Sequence, residues 1–263
     1  MNELTKRTLS AAVLGILVLW LLFNSTAGFA IIVAIAAIIM GYEFARLRAM
    51  KISSLTLVLA FAGSVFYLGI EAKIPQQILY LLLGLAAIFW LKNLFLVLNY
   101  PRKKPKNTEF FNAINLFFLL LSLSFLPLLQ QFPSAKLLLL LLIVWAADIF
   151  AYFTGKMFGK HKLAPNVSAG KTVEGLAGGL FAALLATGGW AFATDNLGYE
   201  YLLLGLATGA ISVVGDLYAS IYKREAGVKD SGAILPGHGG IFDRLDGLLA
   251  AAPIFFIGLE LLR

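Results

Sequence analysis

The sequence predicts an all-α protein, a polytopic transmembrane bundle of about nine spans. Three observations predict it. Of the 263 residues, 60% are apolar and 13% charged, about half the charged share of an ordinary soluble domain. The apolar residues fall in runs of about 20, the length a helix needs to cross a bilayer. The basic residues alternate from one polar interval to the next. A membrane β-barrel is excluded, because its strands alternate in polarity over about 10 residues and LLLLLLIVWAA (137–147) does not.

The runs place spans at roughly 9–25, 27–43, 54–71, 76–99, 109–130, 136–154, 173–194, 199–221 and 246–262. Lys6 and Arg7 before the first run resemble the basic start of a cleaved leader. The second run follows at once, which favours an uncleaved anchor. Between the spans, all 21 Lys and Arg except Lys73, Lys92, Lys136 and Arg263 lie in every second polar interval. The positive-inside rule then sets the N-terminus in the cytoplasm and the C-terminus outside. A miscounted helix would break this register midway, and it does not break. No soluble domain, repeat or low-complexity linker is visible. The cytoplasmic intervals 155–172 and 222–245 are the long ones, and long ordered loops tend to carry function.

Composition narrows the chemistry. Cysteine is absent, which excludes disulfides and thiolate metal sites and leaves the redox compartment open. The net charge of +7 could suit nucleic acid. In a membrane protein with charges so placed, it points instead to anionic headgroups or a phosphate-bearing substrate.

Two acids lie inside spans: Asp148 in VWAADIFAYFTG and Asp216 in ISVVGDLYASIYKR. Both lie on the cytoplasmic side, Asp148 roughly 10 Å below the surface at 1.5 Å per residue. An ionisable group at such depth is costly unless it faces a wet cavity or a partner, which makes it a functional candidate. Asp243 and Asp246 stand three residues apart at the mouth of the last span, on one helical face. Carboxylates with no Cys and only two His favour a hard cation such as Mg²⁺, which usually shares its shell with substrate phosphates. Structural alternatives stand beside these readings. Asp148 could pair with Lys92, and Asp243 with Arg244 could form a helix-start ion pair.

The interval FGKHKLAPNVSAGKTVEG (158–175) adds Lys160, His161, Lys162 and Lys171 to the same side. Its GKT at 170–172 is not a Walker A loop, since that motif needs glycine at 165, where Pro165 stands. What remains is a lysine-bearing loop, with Ser168 and Thr172, leading into a helix start whose free N–H groups favour phosphate. A solvated or headgroup-binding loop is the structural alternative. In PGHGGIFDRLDG (236–247), four glycines allow close backbone approach or positive φ. His238 reads first as a phosphate donor or loop tie, and after that as a general base. Gly175 with Gly179, and Gly205 with Gly209, read as helix-packing notches.

The stretch SIYKREAGVKDSGAILPGHGGIFDRLD (220–246) resembles the signature of the phosphatidate cytidylyltransferases, also called CDP-diacylglycerol synthases. Ser220, Lys223, Arg224, Lys229, Asp230, Gly232, Pro236, His238, Gly239, Gly240, Asp243, Arg244 and Asp246 fall at its spacings, with Tyr222 a departure from the usual aliphatic residue or Phe. ADIFAYFTGKMFGKHKLAPNVSAGKTVEGLAGG (147–179) is similar to the family's other recurring block. The likeness is close over the C-terminal half and only hydropathic over the N-terminal half.

The resemblance implies a dimeric, Mg²⁺-dependent enzyme of phospholipid synthesis, in a bacterial-type inner membrane with its site facing the cytoplasm. It converts CTP and phosphatidate to CDP-diacylglycerol and pyrophosphate, with no nucleic acid as partner. Asp216, Asp243 and Asp246 would hold the metal, with K⁺ as a second cation. Lys223, Arg224 and His238 would be catalytic. Asp148, Lys160, Lys162, Ser168, Lys171, Thr172, Lys229, Asp230, Gly239, Gly240 and Arg244 would bind substrate. Helices within 1–135 are then expected to be scaffold and dimer surface, and 136–263 the catalytic half.

Three rivals make different demands. An ion-coupled transporter would use Asp148 and Asp216 as coupling acids but leaves the basic loops unexplained. A phosphotransferase acting on CDP-lipids resembles a DG-x2-AR pattern that this chain lacks. A non-catalytic lipid-binding scaffold predicts that Asp216→Asn and Asp243→Asn leave biological activity intact.

Overall fold

The computed structural model describes residues 15–51, 56, 60, 63, 67, 74–195, 198–232 and 239–263. Eight helices are described: α1 Gly15–Asn24, α2 Thr26–Leu47, α3 Gln76–Asn99, α4 Glu109–Leu128, α5 Ser134–Phe158, α6 Val173–Ala193, α7 Tyr199–Glu225 and α8 Phe242–Leu261. Six of them, α2 to α7, are long and apolar enough to cross a membrane. Large apolar side chains such as Trp20, Ile88, Phe95, Phe153 and Phe192 point outward. A water-soluble fold would bury them; lipid accepts them. The protein is a predominantly helical, multi-pass membrane protein. The expected third span, 54–71, lies outside the described residues except Thr56, Ala60, Gly63 and Tyr67.

The helix starts follow local chemistry. Ser25 caps α2 by accepting from the Gly28 N–H at 3.0 Å, and Thr108 caps α4 with Glu109 in the first turn. Thr172 caps α6, its Oγ1 accepting from the Gly175 N–H at 3.0 Å. Each side chain satisfies an N–H that the helix leaves without a partner. Helices α5 and α7 run four residues past their expected ends, to Phe158 and Glu225, carrying Lys156 and then Lys223 and Arg224 in their last turns. Cations are favourable at that negative end of the dipole. Asp148 and Asp216 are therefore ten and nine residues from their helix ends, about 15 and 14 Å of rise. Their distances from the helix ends still match.

The interval after α5, expected as loop, holds a two-stranded antiparallel ribbon, β1 Lys162–Ala164 with β2 Ser168–Thr172. Lys162 pairs with Thr172 and Ala164 with Ser168. The turn between them carries Pro165 and Asn166, residues suited to a chain reversal. Three residues are too few for alternation to show in the sequence.

The chain divides into two compact units. One comprises Met1–Tyr80, Lys106–Ser134 and Tyr222–Leu245; the other comprises Leu81–Pro105, Ala135–Ile221 and Asp246–Arg263. In the first, α2 packs on α4. Phe44 touches Tyr222 at 5.3 Å between centroids and meets Phe242 edge-on at 5.9 Å. Arg48, buried, lies over the Tyr222 ring and donates to Asn112 Oδ1 at 3.0 Å and the Lys106 carbonyl at 3.1 Å. In the second, Trp90 and Phe89 pack edge-on to Tyr218. The glycine notches are found where the sequence places them. A Cβ on Gly175 or Gly179 would press on the carbonyls of Ala151 or Ala147 in α5, while Gly205 and Gly209 receive Thr187 and Ala183 of α6.

Candidate active site

Polar side chains gather in each unit. In the second unit, Lys171 on β2 holds Asp216 of α7, Nζ to Oδ2 2.5 Å, with 24% and 33% of the side chains exposed. Ser220, one turn on, donates to Asp216 Oδ1 at 3.4 Å. Asp148 of α5 is within electrostatic reach of both Asp216 and Lys171. The alternative partner, Lys92, lies instead over the Phe89 ring at 5.7 Å. Gly215, next to Asp216, permits a close helix crossing, since a Cβ there would strike the backbone carbonyl oxygen of Asp246 in α8. The Asp246 carboxylate accepts from the Gly247 N–H at 2.7 Å.

The ribbon is tied to α6 by Glu174. Its carboxylate accepts from the backbone N–H of Lys160 at 3.0 Å and of His161 at 3.2 Å, and pairs with His161 Nδ1 at 2.6 Å. Lys162 donates to the Ala169 carbonyl across the ribbon at 2.7 Å. Lys160 and Lys162 are exposed, Ser168 is half-buried and Thr172 is buried as the α6 cap. Of the basic residues in this interval, Lys171 reaches the acid and Lys162 braces the ribbon.

In the first unit the centre is Asp243, in the first turn of α8. Its Oδ1 takes the Lys223 ammonium at 2.6 Å. Its Oδ2 accepts three donors: the Ser231 N–H at 2.8 Å, the Ser231 hydroxyl at 2.9 Å and the Gly240 N–H at 3.0 Å. Burial alone would raise the Asp243 carboxyl; the Lys223 ammonium and the two backbone N–H groups outweigh it and hold the group below the ordinary carboxylate value. Gly239 adopts a φ of 78°, close to the Asp243 carboxylate, which is glycine's conformational region. Arg224 donates to the Val228 carbonyl at 3.3 Å. Lys229, Asp230 and Arg244 are exposed. His238 lies outside the described residues.

Sequence reading missed Glu43. It sits in α2, 2% exposed, and accepts from the Ser231 hydroxyl at 3.1 Å and the N–H groups of Ile241 and Phe242 at 3.2 and 2.9 Å. The signal was present, an acid four residues short of the helix end inside an apolar run, but the arginines after it drew the reading to topology. Ser231, between Asp230 and Gly232, is likewise not among the residues the sequence singles out.

The donors fit a hard cation as part of a shell. Asp216 and Asp243 each already hold an ammonium 2.5 to 2.6 Å from one oxygen, so positive charge is favoured there. Within neither unit do three His, Asp or Glu side chains of the described residues gather as a metal cage.

Each unit thus holds a carboxylate paired with a lysine, Asp216 with Lys171 in one and Asp243 with Lys223 in the other, within an integral membrane protein. The cytidylyltransferase family profile matches residues 5–262, and the chain belongs to that family. It is 39% identical to the phosphatidate cytidylyltransferase of Haemophilus influenzae over 285 residues, covering 96% of this chain and 97% of that one. The enzyme of that name from Pseudomonas aeruginosa is 40% identical over 204 residues, 74% and 75% of the two chains. That from Thermotoga maritima is 32% identical over 272 residues, 100% and 98%.

Proposed function

We propose that the protein transfers the cytidylyl group of CTP to phosphatidate, forming CDP-diacylglycerol and pyrophosphate. The observation that carries the reading is the near full-length similarity to enzymes named for that activity, joined to the lysine-held carboxylates at Asp216 and Asp243. A phosphate oxygen of the lipid bonds to the α-phosphorus of CTP, and the bond from that phosphorus to the β-phosphate oxygen breaks, that oxygen leaving on pyrophosphate. The nucleophile is already anionic near neutral pH, so no strong base is required. The obstacle is repulsion between polyanions, and catalysis is positioning and charge neutralisation.

In this reading Lys171 and Lys223 turn from their carboxylates to incoming phosphate oxygens, exchanging one anionic partner for another. Lys160, Lys162, Lys229, Arg224 and Arg244 supply the positive approach for the triphosphate, Ser168, Gly239 and Gly240 offer close polar contacts, and His238 donates to phosphate. Asp148 holds the second unit's charge balance beside Lys171. Asp216, Asp243 and Asp246 are the carboxylates the family likeness assigns to Mg²⁺, with K⁺ as a second cation. Once Lys223 has turned away, Oδ1 of Asp243 is the oxygen open to a cation, because Oδ2 is engaged by three donors. When bound, Mg²⁺ would neutralise charge developing on the phosphates, and phosphate oxygens would complete its shell.

The site faces the cytoplasm of a bacterial inner membrane crossed nine times, N-terminus inside and C-terminus outside, in a homodimer with 1–135 as scaffold and 136–263 as the catalytic half. Charge alternation supports the orientation. The test is purified protein with CTP, phosphatidate and Mg²⁺. We expect equimolar CDP-lipid and pyrophosphate, abolished by EDTA and reduced to baseline in folded Asp243→Ala and Asp246→Ala. Normal turnover in EDTA sinks the metal, and normal turnover in either variant sinks the ligand assignment.

A further inference from the structure

Glu43 lies in α2, far in sequence from the signature stretch, yet its carboxylate is bound at two places within that stretch. At its middle it accepts from the Ser231 hydroxyl. Ten residues on it accepts from the N–H groups of Ile241 and Phe242, donors that the start of α8 leaves unpaired. A negative charge there also suits the helix dipole. The backbone is drawn in so tightly that a Cβ on Gly232 or Gly240 would strike the Glu43 carboxylate oxygens. The Ser231 hydroxyl stands between two carboxylates, 3.1 Å from Glu43 Oε2 and 2.9 Å from Asp243 Oδ2. It has one proton to give, so the acids share one donor.

We infer that Glu43 is a positioning residue for the transfer reaction: through Ser231 and the first N–H groups of α8 it holds Asp243 in the orientation that turnover requires. The inference rests on the cytidylyltransferase reading above and on Asp243's place in it. A carboxylate is needed because both oxygens accept. Glutamine at this position keeps the shape but offers a single oxygen, and its amide hydrogens face an N–H or a hydroxyl. Burial makes that mismatch costly, since no water replaces the lost acceptor.

The test is Glu43→Gln in full-length protein in detergent, assayed alongside wild type. We expect kcat to fall about ten- to hundredfold, with KM for CTP and phosphatidate within about threefold. Hydrogen exchange should quicken at Ser231, Ile241 and Phe242 while α5 and α6 keep wild-type protection. A general loss of fold would raise exchange throughout and lower kcat only with the folded fraction. Unchanged kcat, or exchange raised everywhere, overturns the proposal. If Glu43→Gln yields no folded protein, Ser231→Ala serves, because the backbone N–H to Asp243 survives it. There kcat should fall about tenfold, and a wild-type value overturns the proposal. If wild type makes no CDP-lipid, the functional reading fails instead.

Discussion

Lys171 and Asp216 form a contact whose two members have different futures on substitution. Lys171→Met removes the ammonium and leaves Asp216 facing Asp148 without its counter-charge. We expect turnover at saturating CTP to fall about 10²- to 10³-fold, and a loss under threefold would remove Lys171 from the site. Asp243 makes a prediction in pH. Its folded carboxyl sits below the ordinary value, so the stabilisation is full above about pH 4 and fades as pH falls through the folded value. Thermal midpoints of wild type and Asp243→Asn should therefore differ most near pH 6 and converge as the pH falls below about 4; a constant gap would remove the linkage. Asp216 and Asp243 were legible in the sequence because charge inside or beside an apolar run is conspicuous. Glu43 and Ser231 were not, because their importance lies in which backbone N–H groups and which carboxylate they meet.

The ribbon and α6 form one device, with Thr172 ending β2 and capping the helix, and Glu174 reaching back to Lys160 and His161. Thr172→Ala should cost about 1 kcal/mol of stability, read as a thermal midpoint a few degrees lower. An unchanged midpoint would show the cap to be idle. The helices themselves were legible: α3 and α6 begin where the apolar runs begin. The ribbon was not, since it is made by backbone pairing between residues with no periodic pattern and tied to α6 by Glu174. The overrun of α5 and α7 was also hidden, because hydropathy marks where lipid ends and helices continue into the polar side.

For the whole molecule the sharpest prediction is orientation. The chain lacks cysteine, so Lys104→Cys and Lys136→Cys each report alone. An impermeant maleimide added to intact cells with a permeabilised outer membrane should label Lys136→Cys and spare Lys104→Cys; the reverse pattern inverts the topology. The sequence by itself determined that this is a helical membrane protein, where most of its spans lie, and which chemistry it resembles. Those properties follow from local hydropathy, charge alternation and a contiguous motif. Only the tertiary structure decided which lysine meets which aspartate, and that an acid in α2 binds two separate points of the signature stretch. Such partners are far apart along the chain, and a hydrogen bond depends on a distance of about 3 Å that no linear spacing encodes.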